Sequence, residues 1–244
     1  MLTRPLLLIS ACLLLAACGR ETPPSAVTPV PAPAASAAAP QVARPRIVFL
    51  GDSLTAGLGL ESAQSYPSLI GQRLAREGYD YEIVNAGVSG DTSAGGLRRM
   101  DWSLDGDVKV LVVALGANDG LRGLPPAELQ KNLAAVIERA TAKGVAVVLA
   151  GMEAPPNFGA DYTRQFRAVY TDLAQQYRVR FIPFLLLGVA GNGSLNQSDG
   201  IHPNVRGAQM VADLVWAELT PVLPRPNSVS KPQVPSPKSQ ALAQ

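Results

Sequence analysis

Three residues of this chain could together turn a hydroxyl into a nucleophile: Ser53, Asp199 and His202. His202 is the only histidine among 244 residues. It sits in Asp199-Gly200-Ile201-His202-Pro203, three residues after an aspartate, and Pro203 restricts its backbone to extended conformations. A carboxylate at that distance can accept from the imidazole Nδ1–H and hold Nε2 toward a serine, which is the task of the third member of a triad. Each residue also has a plainer reading. A lone histidine is commonly structural. Asp199 can serve a turn or a cap, and Gly51-Asp52-Ser53 taken alone is turn chemistry.

The elements around these residues decide between the readings. Ile47-Val48-Phe49-Leu50 is a short, continuous apolar run that stops at Gly51, the signature of a fully buried strand. Ser53 therefore falls just past the carboxyl end of a strand, where open α/β sheets place their ligand crevice. Strand and helix patterns then alternate. Strands are expected over Arg46–Leu50, Tyr81–Val84, Val108–Leu115, Val145–Leu149 and Arg180–Pro183. Helices are expected over Ser65–Glu77, Thr92–Met100 with Asp91 as cap, Pro125–Ala142, Asp161–Tyr177, and Asn204–Leu219 with Asn204 as cap. The Val108–Leu115 run is apolar on both faces apart from Lys109, so the sheet is parallel and covered on both sides. The expected fold is a three-layer α/β/α sandwich with about five parallel strands, for which a flavodoxin-like order is plausible. The first three strands end in polar, glycine-containing loops: Gly51-Asp52-Ser53, Asn85-Ala86-Gly87 and Gly116-Ala117-Asn118-Asp119-Gly120. In a parallel sheet these ends share one edge.

Gly51-Asp52-Ser53-Leu54, Gly87, Gly116-Ala117-Asn118-Asp119 and Asp199-Gly200-Ile201-His202 match, in order and in placement, the SGNH (GDSL-type) hydrolase family. The longer blocks from Gly51 to Gly57, Asn85 to Thr92 and Leu115 to Gly123 resemble the bacterial thioesterase I, arylesterase and lysophospholipase subgroup. The resemblance spans about Arg46 to Leu223. It implies Ser53 as nucleophile, His202 as general base and then acid, and Asp199 as orienter. It implies an oxyanion hole made by the backbone N–H groups of Ser53 and Gly87 and the side-chain amide of Asn118. Ala117 departs from the pattern, standing where close relatives often have glycine. The chemistry agrees: a serine needs a base before it attacks, and the charge that develops on the carbonyl oxygen needs donors already in place.

The remaining chain bounds the setting. Net charge is +2, too small to argue for nucleic acid. Residues 1–17 read as a signal peptide, with an apolar stretch from Leu6 to Leu15 too short to span a bilayer. Leu15-Ala16-Ala17-Cys18 resembles a bacterial lipobox, which implies acylation of Cys18 and a membrane partner through a lipid anchor; a plain secretory cleavage site would look similar. Gly19 follows it, so the outer membrane facing the periplasm is the expected location. Residues 18–45 are a Pro/Ala-rich tether, 46–223 the hydrolase domain, and 224–244 a tail of tether-like composition expected to be disordered. The only cysteines are Cys12 and Cys18, so the mature domain has no disulfide, no cysteine metal site and no catalytic cysteine. No cofactor and no metal are expected, since a single histidine fits a hydrolytic zinc site poorly, and a monomer is expected. Met152, Phe158 and Leu185 to Leu187 lie where they could line an acyl groove, or could serve core and loop packing equally well. The expected activity is hydrolysis of short to medium acyl esters or thioesters, with a lysophospholipid among the substrates. A glycan or peptidoglycan O-deacetylase and a noncatalytic lipid- or glycan-binding lipoprotein are the alternatives.

Overall fold

The computed structural model describes residues 44–224. The signal peptide, Cys18, and the tether and tail apart from residues 44, 45 and 224 lie outside the described residues. The elements follow as β1 (Arg46–Gly51), α1 (Ser53–Ala56), α2 (Tyr66–Arg76), β2 (Glu82–Gly87), α3 (Ser93–Arg98), α4 (Met100–Ser103), β3 (Val108–Ala114), α5 (Ala117–Leu121), α6 (Pro126–Ala142), β4 (Ala146–Ala150), α7 (Ala160–Tyr177), β5 (Arg180–Ile182) and α8 (Val205–Leu219).

The five strands form one parallel sheet in the order β2-β1-β3-β4-β5. This is the flavodoxin-like order, and its switch point lies between β1 and β3. Right-handed crossovers fix the layers. The step from β1 to β2 runs one way along the sheet and every later step runs the other, so α2 covers one face while α3, α6 and α7 cover the opposite one. The last helix, α8, packs on α2, and α6 packs between α3 and α7. The central strands are dry on both faces: Ile47 to Leu50 and Val110 to Leu115 are buried, while Lys109 reaches solvent as its position at the start of β3 suggests. The helices match them with buried stripes such as Leu129, Leu133, Val136 and Ile137 of α6. Each such side chain contributes about 1.5–3 kcal/mol on burial.

Three departures from the sequence reading bear on the site. The second strand does not stop at Val84. Asn85, Ala86 and Gly87 continue the ladder opposite Phe49, Leu50 and Gly51, because register across a parallel pair carries a polar segment into the sheet when its neighbour is strand. The polar loops after β1 and β3 fold into the short helices α1 and α5 rather than staying irregular. The helix expected over Thr92–Met100 is broken at Arg99 into α3 and α4, and its cap is Thr92, whose side chain accepts from the Gly95 N–H, not Asp91. The Asp91 carboxylate is engaged by Arg99 instead. The Asn204 cap is formed as expected, accepting from the N–H groups of Arg206 and Gly207 at 3.0 and 3.1 Å.

Candidate active site

Ser53 is the first residue of α1, at the end of β1. Asp52 caps this helix, its Oδ1 accepting from the Leu54 N–H at 3.0 Å. The turn is tight enough to require glycine before it: a Cβ on Gly51 would lie 2.0 Å from Thr55 Oγ1 and 2.9 Å from the Ala114 carbonyl. Asp52 itself is buried, and burial outweighs its bond to Leu54 and the nearby His202, raising its carboxyl to about 6.

His202 and Asp199 come from the loop before α8, far away in sequence. The Ser53 Oγ lies 2.8 Å from His202 Nε2, and His202 Nδ1 lies 2.7 Å from Asp199 Oδ2. With an ionised Asp199, Nδ1–H donates to the carboxylate and Nε2 is left to accept from the serine hydroxyl. The other aspartate oxygen accepts from the Ile201 and His202 N–H groups at 3.0 and 3.1 Å. The bond from His202, then these two backbone bonds, hold the Asp199 carboxyl down at about 2. It is therefore ionised wherever a protein of this kind works.

Asn118 is the second residue of α5, after β3. Its Nδ2 donates to the Asp91 carbonyl at 2.9 Å and has only a long 3.5 Å contact with Asp52 Oδ2 for its second proton. The neighbouring Asp119 is buried and accepts from the Ser93 N–H and Oγ–H at 2.8 and 2.6 Å. Asn132 donates to that same Ser93 Oγ at 3.0 Å. Asp119 thus ties the start of α3 to α5. Both Asp52 and Asp119 stabilise their loops by hydrogen bonds.

Gly87 does not sit as an oxyanion donor. Its N–H is already given to Asn85 Oδ1 at 3.0 Å, and the Asn85 amide in turn donates to the Thr55 carbonyl at 2.9 Å. Its lack of a side chain has another cause: a Cβ there would lie 2.2 Å from the Ala56 nitrogen, so glycine lets β2 pass against α1. The Gly90 N–H, three residues on, forms no hydrogen bond among the described residues, and neither do those of Ser89 and Thr92. Gly90 has φ +84°, a left-handed turn, and it immediately precedes the Asp91 whose carbonyl holds Asn118. The sequence did hold a signal for this. An asparagine two residues before a glycine readily captures that glycine's N–H.

A groove of about 490 Å³ opens over Ser53 and His202. Its walls include Leu54, Asn118, Leu121, Met152, Phe184 and Leu186, with Ile201 at the rim. Met152 lines it, as the sequence suggested. Phe158 and Leu185 do not. Phe158 packs beside Tyr162, with ring centroids 5.3 Å apart, and over Gly123. Leu185 is buried behind His202 with Leu54 and Tyr66. Leu186, within the stretch expected to reach the groove, does line it, and Leu187 does not; the lining residues that sequence reasoning missed, Leu121 and Phe184 among them, carry no signature beyond being apolar. Among the described residues no three His, Cys, Asp or Glu side chains are grouped to hold a metal ion.

Comparison with known proteins bears on the fold and the family. The profile of the GDSL-like Lipase/Acylhydrolase family matches residues 49–210. The chain is similar to Esterase TesA of Pseudomonas aeruginosa, with 46% identity over 75% of this chain and 92% of that one. It is similar to Thioesterase 1/protease 1/lysophospholipase L1 of Escherichia coli (strain K12), with 33% identity over 72% of this chain and 84% of that one. A crystal structure of TesA superposes with a TM-score of 0.70 at 45% identity, covering 74% of this chain and all of that one.

Proposed function

We propose that this chain, which belongs to the GDSL-like lipase/acylhydrolase family and is a serine esterase, cleaves carboxylic esters and thioesters of short to medium acyl chains through an acyl-enzyme on Ser53. The observation that carries the reading is the unbroken relay from Ser53 Oγ to His202 to Asp199, opening onto an apolar groove of about 490 Å³. That volume lies within the range of small-molecule sites. Thioesters and lysophospholipids enter through the name carried by the Escherichia coli relative.

The steps follow from the contacts. Ser53 Oγ attacks the acyl carbon as its proton passes to His202 Nε2, and the carbonyl π electrons move onto oxygen. The N–H groups of Ser53 and Gly90 and the second Nδ2–H of Asn118 stabilise that oxyanion. Ionised Asp199 stabilises the imidazolium and keeps Nε2 turned to the serine. Collapse of the adduct breaks the bond to the leaving oxygen or sulfur, which takes the proton from Nε2. Water then repeats the cycle, giving its proton to Nε2 and freeing the acid and Ser53. Each oxyanion donor is worth on the order of a hundred- to a thousandfold in rate.

The test is hydrolysis of p-nitrophenyl esters from acetate to palmitate by residues 44–224 and by their Ser53→Ala variant. Turnover that peaks at a short or medium chain length and vanishes in the variant is the expected result. A flat profile removes the acyl-length claim. No turnover by the unmodified domain on any ester removes the acyl-ester reading and moves attention to acetylated glycans.

Export and anchoring through Cys18 complete the proposal and rest on the sequence of residues 1–18. Metabolic palmitate labelling that persists in a Cys18→Ala variant would remove the anchor.

A further inference from the structure

Arg99 is not among the residues that line the groove, yet its guanidinium joins the ends of two strands and the turn that follows the second. Its Nη2 donates to the Gly51 carbonyl at 2.7 Å, its Nη1 to the Ala86 carbonyl at 2.5 Å, and its Nε to Asp91 Oδ2 at 2.7 Å. Those three acceptors are the end of β1, the end of β2 and the turn after β2. Gly51 stands two residues before Ser53. Ala86 opens the segment that leads to Gly90. Asp91 follows Gly90 directly, and its own carbonyl accepts from Asn118 at 2.9 Å. We propose that Arg99 is the positioning residue of the oxyanion hole: one planar fork sets the spacing between the strand ends that carry the Ser53, Gly90 and Asn118 donors. The inference rests on the reading of the site under Proposed function and adds to it a residue that never meets the substrate.

The physical case has three parts. First, the β1–β2 ladder ends at the Gly51–Gly87 pair. Beyond it the strand ends must be held by something else, because twisted parallel strands diverge past their last pairing. Gly51 O already accepts from the Val88 N–H at 3.0 Å, and Arg99 adds the link to Ala86 and Asp91. Second, a guanidinium presents its N–H groups in one rigid plane, so three acceptors bound to it are fixed relative to one another. A lysine ammonium carries the same charge on a flexible stem and fixes no such spacing. Third, the pair is mostly withdrawn from water, with the Arg99 and Asp91 side chains 17% and 19% exposed, and the break between α3 and α4 at Arg99 delivers the side chain there. Asp91 balances the charge of Arg99, so the role is geometry rather than a positive field aimed at the oxyanion.

The experiment compares Arg99→Lys and Arg99→Ala with the unmodified domain on p-nitrophenyl butyrate. Temperatures are kept below each variant's melting point, and active sites are counted by phosphonate titration. Per active site, Arg99→Ala should lose on the order of a hundredfold in kcat with KM within about threefold. Arg99→Lys should lose at least tenfold despite keeping the charge. Free guanidinium at non-denaturing concentration should raise kcat of Arg99→Ala several-fold and leave the unmodified domain unchanged. A kcat within threefold of unmodified in both variants overturns the proposal, as does full recovery in Arg99→Lys, which would make charge the cause. A loss seen only as fewer active sites, with normal kcat at those remaining, shows a merely structural role and also overturns it. If Arg99→Ala does not fold, Asp91→Asn loosens one of the three bonds and should give a smaller kcat loss, again without a KM change; an unchanged kcat there overturns the proposal. Failure of the esterase reading is visible separately, as an unmodified domain no faster than Ser53→Ala.

Discussion

The two halves of the active site are built in opposite ways. The base half, Asp199 and His202, is local. The partners lie three positions apart, one aspartate makes three bonds to its own loop, and its side chain is 45% exposed. The oxyanion half is assembled from the ends of three strands. It is held by buried Asp52 and Asp119 and by a guanidinium that reaches 13 residues back to Ala86 and 48 back to Gly51. A local motif can be read from its spacing. A nonlocal one depends on register, twist and burial. The difference also divides the chemistry. The base half moves a proton and must be accessible to water, whereas the hole must be rigid before charge develops.

The largest effect should come from the base half. His202→Ala removes the proton acceptor and should lower kcat by about 10⁴- to 10⁶-fold, while Asp199→Asn should cost at least tenfold less. The imidazole can still take a proton after Asp199→Asn, although its tautomer is no longer fixed. Equal losses in the two variants, measured per folded enzyme on one ester, would show that the orienter is as indispensable as the base. The contrast between a proton carrier and its exposed support would then break.

A smaller and more diagnostic effect separates the two glycines that follow Asn85. Gly87→Ala places a Cβ 2.2 Å from the Ala56 nitrogen and 2.7 Å from its Cα, backbone that cannot give way. It should destabilise the domain by about 2–4 kcal/mol, in the range of overpacked cores and beyond. Gly90→Ala meets nothing nearer than Arg122 Nη2 at 3.9 Å, and its strain comes only from φ +84°. That strain costs about 1–2 kcal/mol. Gly87→Ala should therefore lower the melting temperature more, and Gly90→Ala should lower kcat more per folded molecule. The reverse pattern would return the donor to Gly87.

These glycines also show what the sequence could and could not carry. The strand and helix alternation, the parallel sheet and the Asn204 cap follow from apolar periodicity and cap chemistry, which are local. So does the Asp199–His202 pair. Gly87 was expected in the hole because Asn85-Ala86-Gly87 looks like a loop until its register opposite Phe49 to Gly51 is known. Arg99 stood out in no way: an arginine in a helical pattern is ordinarily a solvated face. Phe158 and Leu185 were plausible groove residues on position alone. Which side of a loop faces the groove is decided by packing on Gly123 and behind His202, and neither contact is written in spacing.

The smallest effect tests the comparison through pH, because the two halves shift their aspartates in opposite directions. Exposed Asp199 is drawn down to about 2 by hydrogen bonds, and buried Asp52 is pushed up to about 6 by loss of water. The signs follow from which state holds the proton. Asp199 binds its proton less tightly folded than unfolded, so its contribution is complete above about pH 4 and is lost as pH falls toward 2. Asp52 binds its proton more tightly folded, so the folded state loses stability as pH rises from about 4 to 6, by up to roughly 3 kcal/mol at 1.36 kcal/mol per pKa unit. Above that window the cost is constant. Asp52→Asn carries no titrating proton, and its amide oxygen can still accept from the Leu54 N–H. Melting curves of the two proteins should run closest near pH 4 and separate by pH 7, with the variant gaining relative stability. A difference that stays constant from pH 4 to 8 would mean that Asp52 does not titrate there. The buried carboxylate beside the nucleophile would then be stabilised as fully as the exposed one beside the base, and the electrostatic half of the contrast would be gone.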